Sequence, residues 1–173
     1  MKNAILPLLT LLVFTSCNTP KVVYDYDDQL DFNQFRSYSL YPEMESGLSM
    51  LDEKRLLEAV DAVMREKGML QSSSADLYLN IFTQEYEERN RNNLGVGISG
   101  GSRGLGVGIS GGIPVGGPDR YMVIYFDLID VKQDQLVWQA EVSRKFNPNA
   151  SPEKRRQWFE KVVEKAFSRY PPK

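Results

Sequence analysis

The sequence predicts an α+β fold, a mainly antiparallel sheet with two amphipathic helices packed on one face, and three features carry that expectation. Residues 49–67 and 151–169 repeat apolar side chains at helical spacing, residues 76–86, 120–129 and 135–143 alternate at strand spacing, and turn residues separate these stretches. Two helices with one apolar stripe each need a sheet face to cover, which is the layered solution of an α+β domain.

The N-terminus comes before any of these elements. Lys2 precedes the apolar run Ala4 to Phe14, which closes in small and polar residues, the layout of a secretion signal. A membrane-spanning helix needs about 20 predominantly apolar residues, and this run contains Pro7 and stops short of that. Residues 1–16 are therefore expected to be a cleaved signal peptide.

Phe14-Thr15-Ser16-Cys17 is similar to the bacterial lipobox, in which an apolar residue and two small ones precede the cysteine that is lipidated. Cys17 is the sole cysteine of the 173 residues, so it has no disulfide partner within the chain. Lipidation at Cys17 is the expectation, with residues 17–22 as tether and residues 23–173 as one domain. Acyl chains contribute about 0.8 kcal/mol per buried methylene, so several of them anchor durably. The membrane is thus the first expected partner, in the cell envelope. Asn18 in place of an aspartate favours the outer membrane of a Gram-negative cell, and the lack of an acidic run after Cys17 favours its periplasmic side.

The net charge is −2, with acidic and basic residues interspersed, so nucleic acid is not an expected partner. Histidine is absent. Imidazole or thiolate metal sites and histidine-based nucleophile pairs are thereby removed, and no cofactor is expected.

Within the domain, Val22 to Asp28 and Asp31 to Tyr41 read as two short strands joined by a polar loop. Ser49 with Asp52 three positions on marks a helix start. Its stripe is Leu56, Val60, Val63 and Lys67, widened by Leu57, Ala59 and Met64, with Arg55, Glu58, Asp61 and Arg65 outward; Gly68 ends it. Leu77, Leu79, Ile81 and Thr83 then alternate against Tyr78, Asn80, Phe82, Gln84 and Tyr86, a strand long enough to be central.

Met122, Ile124, Phe126 and Leu128 form one face of the next strand, and Asp130 to Asp134 turns it into a strand sharing Leu136, Trp138, Ala140 and Val142. These two are expected to form an antiparallel hairpin. Ser151-Pro152-Glu153 opens the second helix, since serine caps, proline suits the first helical position and glutamate faces the positive helix end. Its stripe runs from Trp158 and Phe159 through Val162, Val163, Ala166 and Phe167 to Tyr170, and Pro171-Pro172 stops it.

Eleven of thirteen glycines fall between Gly95 and Gly117, and the octet Leu-Gly-Val-Gly-Ile-Ser-Gly-Gly occurs at 94–101 and again at 105–112. Each copy contains Gly-x-Gly-x-x-Gly, but a dinucleotide fingerprint must open a helix, and no helical stripe follows. Two forms of this insert, residues 95–117, stay open. In the hairpin form, Leu94, Val96, Ile98, Leu105, Val107 and Ile109 make one apolar edge, Arg103 sits in the bend, and the edge is an interaction surface. The other form is a loop, because glycine weakens strands.

Asp25, Asp27, Asp28 and Asp31 lack the glycine and terminal glutamate of a calcium loop and read as a solvated strand end. Glu85, Glu87 and Glu88 beside Arg89 and Arg91 read as a polar strand exit. Neither cluster is assigned a catalytic role.

The order of Val23-Tyr24-Asp25-Tyr26-Asp27, Asp31-Phe32, Phe35-Arg36-Ser37-Tyr38, Asp76-Leu77, a glycine-rich insert, Leu136-Val137-Trp138-Gln139-Ala140 and Tyr170-Pro171-Pro172 resembles the lipoproteins of the domain of unknown function 4136 family. The resemblance spans nearly all of the chain after Cys17 and implies a secreted, membrane-anchored α+β domain with no known activity.

The expected function is a non-enzymatic envelope role, structural or through a protein partner. A small-molecule or lipid-binding module is the alternative, and it calls for a cavity lined by Tyr78, Phe82, Tyr121 and Tyr125. An enzyme calls for convergent carboxylates, or a lysine beside a hydroxyl, in a cleft.

Overall fold

The computed structural model describes residues 20–88, 93–94, 113–114 and 117–172. Its elements are β1 (Lys21–Tyr26), β2 (Ser37–Leu40), α1 (Met50–Glu66), β3 (Leu70–Gln71), β4 (Leu77–Glu88), β5 (Asn93–Leu94), β6 (Ile113–Pro114), β7 (Asp119–Asp130), β8 (Gln135–Lys145) and α2 (Pro152–Ala166). Short 3-10 turns occupy Phe32–Gln34 and Phe167–Arg169. Among the described residues, six strands form one sheet in the order β1-β8-β7-β4-β2-β3.

Both helix starts are made by the residues the sequence marks. The side chain of Ser49 accepts a hydrogen bond from the Asp52 backbone N–H, and that of Ser151 accepts one from Lys154, each satisfying a donor that a helix end leaves open. Gly68 follows α1 with φ +79°, a left-handed turn that glycine adopts without a side-chain clash.

The sheet is mixed rather than mainly antiparallel, which corrects the expectation from sequence. β2 runs parallel to β3 and β4, while β1 with β8, β4 with β7 and β7 with β8 are antiparallel. The cause is α1: a helix between two strands carries the chain back to its starting end, so the next strand enters in the same direction.

The two helices cover one sheet face. Leu77, Leu79 and Ile81 of β4, Met122, Ile124, Phe126 and Leu128 of β7, and Trp138, Ala140 and Val142 of β8 join one core with Leu56, Val60 and Met64 of α1 and Phe159, Val162, Val163 and Ala166 of α2. Leu136 does not share this face. A register shift between Leu128 and Ile129 turns Val137 inward and leaves Leu136 52% exposed, as an extra residue in one strand must.

β5 and β6 form a two-stranded antiparallel sheet of their own. Glu88 stands opposite Asp119, and five positions further along the sequence Asn93 stands opposite Pro114, so the two pairs keep one register.

The parallel start is tied by Asp76. Its Oδ2 accepts from the Arg36 N–H at 2.9 Å, the Ser37 N–H at 3.0 Å and the Ser37 hydroxyl at 2.8 Å. The Arg36 N–H and then Ser37 hold its carboxyl below the ordinary carboxylate range. A depressed folded pKa gives stabilisation that is complete above the unfolded value and is lost as pH falls through the folded one. Asp76→Asn is therefore expected to cost about 1 kcal/mol in urea unfolding at neutral pH. The gap to wild type should shrink at about pH 3, and a gap that widens there would refute the assignment.

Candidate functional site

A cavity of about 900 Å³ lies where the two ends of the domain meet. β1 supplies Val22, Val23, Tyr24 and Tyr26 to one wall; Ser168, Arg169 and Tyr170-Pro171-Pro172 supply the other, with Lys67 at the end of α1 and Trp138 behind. β1 is placed there by pairing with β8 from Lys21↔Ser143 to Tyr26↔Trp138. The segment after α2 is placed by Phe167, whose ring stacks on Trp138 at 5.1 Å, and by Tyr170, whose ring meets Trp138 edge-on at 5.5 Å.

The polar groups of this groove are held in defined positions. The Tyr24 hydroxyl donates to the Lys165 carbonyl at 2.6 Å and lies 2.8 Å from the Ser168 hydroxyl. The Arg169 guanidinium sits 5.2 Å from the centre of the Tyr24 ring, an attraction between cation and ring face. Burial raises the pKa of the Tyr170 hydroxyl, so it remains a neutral donor, directed at Met69 Sδ 4.0 Å away.

The outer sheet face is built differently. Phe82 stacks on Tyr125 at 4.4 Å, Tyr86 on Tyr121 at 5.3 Å, and Tyr41 meets Tyr78 edge-on at 5.7 Å. These are cross-strand partners, Phe82↔Tyr125 and Tyr86↔Tyr121, whose side chains meet because opposed residues share a face. Of the rings expected to line a cavity, Phe82 and Tyr125 thus pair with each other, Tyr78 with Tyr41 and Tyr121 with Tyr86, and the groove has a different lining.

Between the Phe82–Tyr125 stack and the Tyr41–Tyr78 pair lies Asp127, whose carboxyl accepts from Gln139 Nε2 at 2.7 Å. Burial pushes its pKa up, opposed by hydrogen bonds from Gln139 and Asn80. Its partners are amides, so the arrangement holds a carboxylate in place without setting it against a nucleophile.

The acidic cluster is used locally. Asp25 accepts from the Tyr26 N–H, Asp27 from the Gln29 N–H and Asp31 from the Asn33 N–H, the short-range bonding by which aspartates shape turns. Among the described residues, no three acidic, cysteine or histidine side chains converge as a metal site. Glu85 and Glu87 are bridged by Arg120 at 3.9 and 3.4 Å.

Cys17, Val96, Ile98, Arg103, Leu105, Val107 and Ile109 lie outside the described residues, and Leu94 is described only as backbone pairing with Ile113. The groove was not foreseen. Its one signal in the sequence is Tyr170-Pro171-Pro172, which serves as a wall as well as a helix stop.

Fold and groove together define an α+β domain whose mixed sheet is covered by helices on one side and whose first strand and last residues share a groove. The chain belongs to the family described as Domain of unknown function (DUF4136), which matches residues 22–172. Among curated proteins none matches it. A PDZ domain protein from Parabacteroides distasonis is similar at 14% identity and a TM-score of 0.53, over 90% of this chain and 37% of that one. The chain thus spans little more than a third of that protein's length. A PelC dodecamer structure from Paraburkholderia phytofirmans is similar at 12% identity and a TM-score of 0.49, over 87% of this chain and 96% of that one. At such identities the likeness concerns the fold alone.

Proposed function

We propose that the chain is a bacterial envelope lipoprotein, anchored through lipid on Cys17 to the periplasmic face of the outer membrane, whose domain binds a protein partner and does no chemistry. The observation that carries this is the position of β1. It begins at Lys21, four residues after Cys17, and it is one of the two outer strands of the six-stranded sheet.

An outer strand offers backbone donors and acceptors to an added strand. Val23 of β1 is 65% exposed, so the strand is accessible to a partner. A second contact surface is the glycine-rich arm with Leu94, Val96, Ile98, Arg103, Leu105, Val107 and Ile109. The register kept by β5 and β6 supports it, because the arm then extends from the hairpin of the two longest strands. No helix of the described residues is long and apolar enough to cross a membrane, which is compatible with a lipid anchor.

Metabolic labelling with a fatty-acid probe tests the anchor. Wild type is expected to carry label and to sediment with membranes, and Cys17→Ala to lose both. An unlabelled wild type, or label that survives the substitution, would overturn it. Crosslinking in intact cells tests the contact surfaces: deletion of residues 95–117 is expected to remove at least one crosslinked partner, and an unchanged set would argue against the arm.

A further inference from the structure

We infer that the groove between β1 and Tyr170-Pro171-Pro172 binds a single anionic phospholipid of the membrane to which the chain is tethered. Its volume of about 900 Å³ falls within the roughly 300–1,000 Å³ of ligand pockets. Charge selects the headgroup. The lining includes two cations, Lys67 and Arg169, and no carboxylate, in a chain whose acidic residues outnumber its basic ones, 23 to 21.

Among the described residues, no carboxylate lies within ion-pair distance of Lys67 or Arg169. Arg169 is also positioned: its guanidinium rests over the Tyr24 ring, and that ring is fixed by its hydroxyl on Lys165 and Ser168. A planar fork held this way can take a phosphate through two parallel hydrogen bonds.

The rest of the wall suits acyl chain rather than a soluble anion. Beside the polar Asn33 and Ser168, the side chains of Val22, Val23, Tyr26, Pro171 and Pro172 add an apolar stretch of lining, which free phosphate would leave unused. Location supplies the source. β1 starts four residues after Cys17, a reach of about 15 Å for extended chain, so a lipidated Cys17 holds the groove at the bilayer surface. This last step rests on the anchoring proposed above.

The test is native mass spectrometry of the full mature protein extracted from its membrane in mild detergent. Wild type is expected to carry one phospholipid that organic solvent strips away, while any acyl mass on Cys17 stays. Lys67→Gln with Arg169→Gln, checked for an unchanged fold by circular dichroism, is expected to lower occupancy roughly tenfold. Stripped protein is then offered dihexanoyl phosphatidylglycerol, dihexanoyl phosphatidylcholine or inorganic phosphate. Preference for phosphatidylglycerol supports the assignment. Equal uptake of phosphatidylcholine, displacement by phosphate alone, no adduct on wild type, or full occupancy in the double variant would each overturn it. An unacylated Cys17 with the groove still loaded by phosphatidylglycerol would refute the anchor and leave the groove standing.

Discussion

Asp52→Ala is expected to destabilise the domain by about 3–5 kcal/mol, read from the urea midpoint, because it leaves two arginines facing each other without their shared acid. Asp52 is 2% exposed. Its two carboxylate oxygens bind Arg55 at 2.7 Å and Arg155 at 2.5 Å, so one side chain clamps the start of α1 to the start of α2. Arg155 also rests over the Phe146 ring at 5.2 Å. Asp52→Leu combined with Arg55→Met and Arg155→Met is expected to recover most of the loss, since replacing all three partners with apolar groups removes the desolvated charges as well as the bonds. A single Asp52→Ala as mild as the triple variant would show that solvent relieves the arginines and that the clamp contributes little.

Trp138→Ala is expected to cost about 3–5 kcal/mol, the range for removing a large aromatic from a packed core. Trp138 is 1% exposed and touches Phe167 face-on, Tyr170 edge-on and Tyr24 at a tilt. It therefore holds together β1, β8 and the segment after α2. Trp138→Phe separates packing from polarity. The indole Nε1 is buried with no hydrogen-bond partner among the described residues, so its removal relieves an unpaired donor and offsets part of the lost volume. Thermal unfolding should place Trp138→Phe within about 1.5 kcal/mol of wild type. Equal losses for both substitutions would show that the donor has a partner in solution.

Much of this core was legible in the sequence, because local pattern decides it. Ser49 and Ser151 cap helices through bonds spanning three residues, and Leu77, Leu79 and Ile81 alternate whichever strand lies beside them. The parallel pairing of β2 with β4 was not legible, since it depends on where α1 packs. Leu136 was placed inward because alternation assumes an unbroken strand, and the shift beside Ile129 lies in the pairing. Arg55 was placed outward by helical spacing alone; the acid that draws it in is shared with Arg155, a hundred positions away. The groove was hidden for the same reason, for Val22 and Pro171 become neighbours only when β1 finds β8. Of the predicted contact residues, those between 95 and 112 and Cys17 fall outside the described chain, so the sequence remains their source.

The pairing of β1 with β8 also bears on how the molecule is made. Lys21 and Ser143 stand opposite each other although 122 positions separate them, and closing so long a loop is slow. β1 is among the first elements to be synthesised and cannot be locked until nearly everything else has arrived. A product cut short before Gln135 would keep Cys17 but have nothing to hold β1, leaving a loose edge open to degradation. Completion at the far end thus licenses the near end, and a truncated copy is marked by the very segment that would fix it in place.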